Sequence, residues 1–388
     1  MIIKGVRYKE KERILSYALA RARPLTSKQE FTGTAPAPFV GRFGYPNINV
    51  GILAPPQHDS NAWQYDAPRH WAQKNAGIQE VVAYRSGMVN SRFLSNIKKP
   101  DKLVEIAQEV AMSAKPIDIN VRLEKKPSLN ITTDQWVAPM GPQAKLKQLQ
   151  IATNSHIPTK VQKFHDDTDA LATEAITSLY EHNIDENALS RMLSVGIFGK
   201  KRKLVPTRWS ITATDDILAN NFLEKTREQP IGDYSAYFGS YLGNYYMLLF
   251  FPEQWSYELF EMYTGNPEVL EYSTDYEGFE GRKTYAENCV GGYYTVRMAL
   301  AEHMIKNKKQ NKVLALRFIT DEYVLPLGVW VTREAARKAL ANKPISFSSK
   351  ELMLTYAKHL AKNKFGIDIT PVLRKSKLLS QKTLNYFS

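Results

Sequence analysis

The chain has 388 residues, of which 43% are hydrophobic and 23% are charged, so it can form one large domain or two of ordinary size. Its net charge is +13, yet residues 253–287 hold nine acidic and two basic side chains, a local net of −7 that leaves +20 elsewhere. This asymmetry predicts a basic surface for a polyanion, above all nucleic acid, and a separate acidic flank, although charge that serves only solubility would look the same.

In the first half of the chain, the patterns predict interleaved helices and strands. Ile117, Ile119, Val121 and Leu123 alternate strictly with polar residues, which is typical of a half-buried strand. Proline at the first turn and a stripe of apolar residues predict a helix over residues 100–114. We also expect a helix over residues 14–20, a Gly- and Pro-rich loop within residues 31–56, and strands over residues 47–53 and 79–85.

The second half reads as more helical. We expect helices over residues 166–181, 185–195, 215–227 and 293–305, and one that opens with the capping-box pair Ser348 and Glu351 and ends near Gly366. Strands are expected over residues 204–213, 244–251, 312–319 and 328–332. The fold class is therefore mixed α/β or α+β. We expect a single large globular body over residues 1–370, with a possible subdivision near 125–160, and a flexible basic tail over residues 371–388.

The clearest candidate site is the predicted strand over residues 204–213. On a strand, Arg208, Ser210 and Thr212 would share one face, where a guanidinium and two hydroxyls can hold phosphate. Asp215 follows at the strand–helix junction, where it either holds a metal, orients a base or caps the helix. The alternative is a solvent-exposed strand face without a function.

The second candidate is the loop from Phe39 to Gly51. Gly41 and Gly44 permit close approach of a ligand to the backbone, while Arg42 supplies charge and Tyr45 a stacking surface. The loop lacks the order of a phosphate-binding P-loop or a dinucleotide fingerprint. A purely structural cluster of turns explains the same residues equally well.

Three further groups are less specific. The run Lys200, Lys201, Arg202 and Lys203 either contacts a nucleic-acid backbone or is a solvated loop. His165, Asp166, Asp167 and Asp169 lack specific metal-ligand spacing, and a helix N-terminus accounts for the acids, so we expect no metal site. Glu280, like its neighbour Glu277, is either a catalytic acid or an ordinary loop residue.

The final residues carry the spacing of a clamp-binding peptide. Gln381, Leu384 and Phe387 stand at relative positions one, four and seven, so a single 3₁₀ turn would place Leu384 and Phe387 on one side, next to Tyr386. This resembles the motif that docks proteins onto the sliding clamp PCNA, except that Ser388 replaces the second aromatic residue. The alternative is an aromatic tail that folds back onto its own domain.

Cysteine content and the N-terminus bear on location. The single cysteine, Cys289, can form neither a disulfide nor a cysteine-based metal site within the chain, which fits a reducing cytoplasm. The N-terminus is charged from Lys4 and lacks the apolar core of a signal peptide. The longest apolar run, residues 245–252, is too short to span a membrane. We therefore expect a cytoplasmic protein with no membrane partner.

Four segments together resemble the archaeal Nre proteins. They are Phe39-Val-Gly-Arg-Phe-Gly-Tyr-Pro46, Val205-Pro-Thr-Arg-Trp-Ser-Ile-Thr212, Gly291-Gly-Tyr-Tyr294 and Pro326-Leu-Gly-Val-Trp330. The resemblance implies a role in archaeal DNA repair and binding to PCNA, in agreement with the terminal peptide. Some members begin with a cysteine-rich, zinc-ribbon-like segment, but this chain lacks those cysteines, so zinc is not implied.

Two classes of function remain open. One is a DNA-repair factor recruited by PCNA whose body binds nucleic acid, single-stranded or damaged DNA above all. The other is a nucleic-acid-modifying enzyme, either an NAD-dependent transferase that resembles ADP-ribosyltransferases or a metal-dependent nuclease. Under the transferase hypothesis, Arg208, Ser210, Thr212, Asp215 and Glu280 are the candidate catalytic residues and NAD is the cofactor.

Overall fold

The chain divides into two compact units. The computed structural model describes residues 2–98, 101–129, 140–265 and 270–380, with side chains described from Lys9 onward. Unit 1 comprises Met1–Leu218 and Leu325–Gly328, and unit 2 comprises Ala219–Val324 and Val329–Ser388. Each unit contains one six-stranded sheet together with helices, so the mixed α/β fold class is confirmed.

Unit 1 carries eight helices and six strands in the described ranges. The helices are α1 (Ile2–Ala22), α2 (Pro68–Gln73), α3 (Ile78–Ser86), α4 (Lys102–Met112), α5 (Thr159–Asp166), α6 (Ala172–Glu181), α7 (Glu186–Ser194) and α8 (Thr207–Thr226), the last of which ends in unit 2. The strands are β1 (Glu30–Ala35), β2 (Ala37–Val40), β3 (Asn47–Ala54), β4 (Val89–Asn96), β5 (Ile117–Leu123) and β6 (Gln143–Ile151). Short 3₁₀ helices span Arg23–Ser27 and Ala62–Asp66.

The sheet of unit 1 has the order β1-β5-β6-β4-β3-β2. Only β4 and β6 pair in parallel among these strands. The alternation predicted for β5 is confirmed, since Ile117, Ile119, Val121 and Leu123 are all buried. Helix α4 begins where Asp101 accepts hydrogen bonds from the backbone N of Leu103 and Val104. Helices α4 and α7 pack against β2, which holds the start of the β2–β3 loop in place.

The sheet of unit 2 is covered by helices on both faces. Its elements are β7 (Ser235–Tyr241), β8 (Asn244–Phe251), β9 (Ser256–Tyr263), β10 (Tyr272–Glu277), α9 (Val290–Asn307), β11 (Lys312–Ile319), α10 (Trp330–Ala341), β12 (Ile345–Ser346), α11 (Lys350–Phe365), α12 (Thr370–Lys375) and α13 (Lys377–Ser380). The strand order is β10-β9-β11-β8-β7-β12, with β9 and β11 parallel. One face packs with α11, α12 and α13 into a single core, and α10 lies on β7 and β8 beside α9. Strands buried on both faces read as continuous apolar runs, which is why β8 and β11 were predicted with the observed bounds.

Three predicted strands are helices. Residues 79–85 lie in α3, residues 204–213 enter α8, and residues 328–332 enter α10. In α10, Val331, Ala335, Ala336, Ala339 and Leu340 are buried at helical spacing. Short runs of apolar and β-branched residues suit either element, and the packing partner decides between them.

The first ten residues of the predicted flexible tail, 371–380, belong to the folded part of unit 2. Residues 370–380 form α12 and α13, and Val372, Leu373 and Leu378 are buried in the core of unit 2. The expected clamp-binding residues Gln381, Leu384, Tyr386 and Phe387 lie outside the described residues. Of the helices within the described ranges, none combines the length and the apolar character needed to cross a membrane.

Candidate nucleic-acid interface

Helix α8 replaces the strand that was expected to carry Arg208. Pro206 stands directly before the first helical residue, and its carbonyl accepts hydrogen bonds from the backbone N of Trp209 (2.8 Å) and Ser210 (2.9 Å). Proline is favourable at the start of a helix because it has no N–H to satisfy. Here the helix-start signal prevails over the alternating pattern that suggested a strand.

The helical geometry separates the three side chains that were expected to share a face. The Ser210 hydroxyl donates to the carbonyl of Thr207 (3.0 Å) and the Thr212 hydroxyl to that of Arg208 (3.2 Å), and both residues are buried. Asp215 is also fully buried. The predicted floor of Arg208, Ser210 and Thr212 is therefore wrong, and only Arg208 reaches the surface.

The β2–β3 loop, residues 41–46, lies against the start of α8. The backbone N of Val40 donates to the Thr207 hydroxyl (2.9 Å). Gly44 has φ of +92°, a conformation that favours glycine, and its carbonyl accepts from the backbone N of Asn47 (2.9 Å). Gly41 donates to the carbonyl of Asn49 (2.7 Å). The two glycines are thus explained by the turn itself, which presents Arg42, Phe43 and Tyr45 to solvent.

Arg42 and Arg208, which belong to separate candidate sites in the sequence, lie on the two segments that meet at this junction. Both are exposed. Partial burial, and then the positive charge of Arg42 nearby, hold the pKa of the Arg208 guanidinium below its ordinary value. Two guanidinium groups that repel each other make a site where an anion is favourable.

Three exposed aromatic rings stand among these arginines. Phe43 is 73% exposed, Tyr45 44% and Trp209 49%. The rings of Tyr45 and Trp209 are stacked, with centroids 5.9 Å apart and planes 24° from parallel, and the Arg42 guanidinium carbon lies 4.7 Å from the centre of the Phe43 ring. We call Arg42, Phe43, Tyr45, Arg208 and Trp209 the arginine–aromatic surface.

Backbone hydrogen bonds bring the basic run close to this surface. Ile97 donates to the carbonyl of Pro46 (3.0 Å) and accepts from the backbone N of Leu204 (3.2 Å), so it joins the β2–β3 loop to the segment that ends the run. Its neighbour Lys98 is exposed, as are Lys200 and Lys201.

Arg202 and Lys203 are less available to a ligand. Both are half-buried, and the Arg202 guanidinium donates to the carbonyl of Asp167 (2.9 Å). Part of the basic run is therefore structural.

The acidic segment is a surface flank only in part. Glu258, Asp275 and Glu277 are buried in unit 2, whereas Glu271, Glu280 and Glu287 are exposed. Glu277 accepts hydrogen bonds from the Trp255 indole (2.9 Å), the Tyr293 hydroxyl (2.8 Å) and Arg297 Nε (2.7 Å). Such partners compensate the cost of burying a carboxylate.

Glu280 differs from Glu277. It is exposed, in a turn closed by a hydrogen bond from the backbone N of Gly281 to the carbonyl of Gly278 (3.0 Å). Asp215 belongs to unit 1 and Glu280 to unit 2.

The acids that follow α5 have local structural roles. Asp167 accepts hydrogen bonds from the backbone N of Asp169 and Ala170, which hold the pKa of its carboxyl below the ordinary value. His165 Nδ1 lies 3.1 Å from Asp166 Oδ1. Among the side chains that the structure describes, His, Cys, Asp and Glu form no group of three or more that could hold a metal ion.

Sequence reasoning missed two residues of the arginine–aromatic surface. On the expected strand, Trp209 would lie on the face opposite Arg208, and Phe43 was named only as part of the loop. The position of Trp209 three residues after Pro206, at a helix start, was an available signal of exposure. Phe43 had a similar signal of exposure, because it lies in a tight turn that includes Gly44.

Two family models match nearly the whole chain. The model described as "Archaeal Nre, N-terminal" matches residues 12–267, and the one described as "Archaeal Nre, C-terminal" matches residues 277–387. The chain belongs to the archaeal Nre family. The gap between the two Nre matches falls within unit 2, so it does not coincide with the unit boundary at residues 218 and 219.

Curated Nre proteins align over most of their length. The chain is 34% identical over 372 residues to "DNA repair protein NreB" of Archaeoglobus fulgidus, which covers 92% of each chain. It is 33% identical over 325 residues to "DNA repair protein NreA" of Haloferax volcanii, covering 80% of this chain and 77% of that one. It is 34% identical over 339 residues to "DNA repair protein NreA" of Archaeoglobus fulgidus, covering 85% of this chain and 84% of that one. No solved structure matches the chain.

Two of the four segments that carried the Nre resemblance meet in unit 1. Residues 39–46 supply Arg42, Phe43 and Tyr45, and residues 205–212 supply Arg208 and Trp209. Residues 291–294 lie in the first turns of α9 in unit 2. The arginine–aromatic surface is thus built from two of the segments on which the Nre resemblance was based.

Proposed function

We propose that this protein takes part in DNA repair, and that it binds nucleic acid through the arginine–aromatic surface of unit 1. The observation that carries the proposal is the meeting of the β2–β3 loop with the start of α8: Tyr45 stacks on Trp209, and the backbone N of Val40 donates to the Thr207 hydroxyl. This contact places the exposed Arg42 and Arg208 on one surface, where a phosphate backbone can accept hydrogen bonds from both guanidinium groups. The names of the Nre relatives support the repair role.

We further propose that residues 381–388 recruit the protein to PCNA. The spacing of Gln381, Leu384 and Phe387 motivates this step. The preceding helix α13 is anchored to unit 2, so the peptide would follow directly after a fixed point at Ser380. Recruitment by the clamp and binding by unit 1 would then act on the same DNA.

The transferase hypothesis has lost its structural premise. It required Arg208 and Ser210 on one face of a strand, whereas both lie on a helix and Ser210 is buried. We therefore do not extend the proposal to NAD-dependent catalysis, and the proposed role is that of a binding factor.

A pair of charge variants tests nucleic-acid binding. Arg42→Gln combined with Arg208→Gln should weaken binding of an oligonucleotide at low salt by at least about tenfold, since two phosphate contacts are lost. Arg13→Gln combined with Arg122→Gln is the matched control, because it removes the same charge from two exposed arginines of unit 1. Fluorescence anisotropy measures both variants, and circular dichroism checks that they fold. Equal affinity of the two double variants would contradict the proposal.

A further inference from the structure

We infer that the arginine–aromatic surface stacks unpaired nucleobases, so that its ligand is single-stranded DNA. This inference rests on the proposed function and adds the ligand class. Its starting point is the exposure of Phe43, Tyr45 and Trp209, three large rings contributed by only two short segments. Large aromatic side chains are normally buried, and a group of them in solvent marks a binding surface.

The rings are positioned before a ligand arrives. Tyr45 sits in a turn closed by the hydrogen bond between Gly44 and Asn47, and the carbonyl of the next residue, Pro46, accepts from Ile97. Trp209 is fixed in the first turn of α8 by its backbone hydrogen bond to Pro206. Because these segments are already ordered, little conformational entropy is lost when a ligand binds.

The geometry suits flat ligands. Tyr45 and Trp209 are nearly parallel, with planes 24° apart and centroids at 5.9 Å, so together they form one extended aromatic platform. Offset stacked rings of this kind are a favourable arrangement for aromatic groups. An unpaired base can extend the stack, and because every base has a flat π face, such stacking tolerates any sequence.

The charges that surround the platform indicate which flat ligand it takes. Arg42 and Arg208 belong to the same surface, and Lys98, Lys200 and Lys201 are exposed on segments that backbone hydrogen bonds of Ile97 link to the β2–β3 loop. A ligand that offers phosphates and flat rings together satisfies both features. A duplex offers phosphates but hides the faces of its bases, and an apolar peptide offers no negative charge. A single strand is therefore the occupant that fits.

The test separates bases from phosphates. Fluorescence anisotropy with the full chain compares about 12 thymidines, a length within the range of single-strand site sizes, with an abasic strand of the same length, a hairpin duplex and a uridine strand. The thymidine strand should bind roughly 5- to 100-fold more tightly than the abasic strand, since stacking contributes that much per base. Trp209→Leu and Tyr45→Leu should each reduce this ratio severalfold, whereas the exposed controls Trp63→Leu and Tyr17→Leu should not.

Several results would overturn the inference. Equal affinity for thymidine and abasic strands, or a preference for the duplex, would mean that the rings do not stack on bases. A uridine strand that binds tenfold more tightly than thymidine would reassign the ligand to RNA. If any of these results appears while the Arg42→Gln and Arg208→Gln double variant still binds oligonucleotides more weakly than the wild type, the inference about stacking fails but the proposed function survives. A wild-type protein that binds no strand at low salt would contradict both.

Discussion

The Ser376 hydroxyl donates a hydrogen bond to the carboxylate of Glu258 at the start of α13. The same carboxylate accepts from the backbone N of Lys377 and of Leu378, each at 3.1 Å. Both Glu258 and Ser376 are buried, and burial raises the pKa of the Glu258 carboxyl, although its three hydrogen bonds oppose the shift. This contact fixes the last described helix to β9.

Removing the Ser376 hydroxyl should destabilise unit 2. Ser376→Ala leaves a buried carboxylate with one donor fewer, which costs about 1–3 kcal/mol of unfolding free energy. Urea unfolding followed by circular dichroism measures the loss. Ser380→Ala is the control, because Ser380 is exposed and its hydroxyl, among the residues that the structure describes, donates to the carbonyl of Lys377 rather than to a buried charge. A Ser376→Ala protein as stable as the wild type would show that Glu258 does not depend on this contact.

The terminal peptide should bind PCNA without contributing to the fold. Replacing both Leu384 and Phe387 with Ala removes the two apolar side chains that would enter the clamp pocket, each worth roughly 1.5–3 kcal/mol. We expect calorimetry to show no clamp binding by this variant, with a melting temperature close to that of the wild type. A large drop in the melting temperature would indicate instead that the peptide packs into the body.

His303 makes stability depend on pH. It is enclosed by Tyr237 and Phe250, and burial, followed by the charge of Lys306, lowers the pKa of its ring from 6.5 to about 4. The unfolded chain therefore takes up this proton first as the pH falls. The unfolding free energy should decrease by about 1–3 kcal/mol between pH 6.5 and pH 4.

A variant isolates this contribution. His303→Gln should flatten the pH dependence across that window, while the exposed residue His359, changed to Gln, should leave it unchanged. Urea titrations at several pH values give the free energies. An identical pH profile for His303→Gln and the wild type would mean that other groups are responsible.

The sequence predicted those elements whose signal is local. Strands β5, β8 and β11 were found with the observed bounds, because alternation and long apolar runs follow directly from burial on one or both faces. Helix α11 was found to end at Gly366, which adopts the left-handed conformation that favours glycine. The residues over 79–85 and 328–332 have no such signal, so the surrounding packing decides which element forms there. Over residues 204–213, the helix-start signal of Pro206 competes with an alternating pattern that is typical of a strand.

The candidate site was predictable only in part. Arg42, Tyr45 and Arg208 were each named from their chemistry, in two separate candidate sites, and the structure brings them to one surface. Ser210 and Thr212 were included only because a strand was assumed. The helix-start signal at Pro206 and the turn around Gly44 pointed to Trp209 and Phe43, but the tertiary fold decides whether an aromatic ring faces solvent or the core, so their exposure was established only by the structure.

The salt dependence of single-strand binding tests the central proposal most directly. For single strands, the slope of log K against log salt falls by about 0.7 for each phosphate contact removed. The Arg42→Gln and Arg208→Gln double variant should therefore bind thymidine strands with a slope shallower by about 1.4 than that of the wild type. An unchanged slope would contradict the account, because it would mean that neither arginine contacts the phosphate backbone.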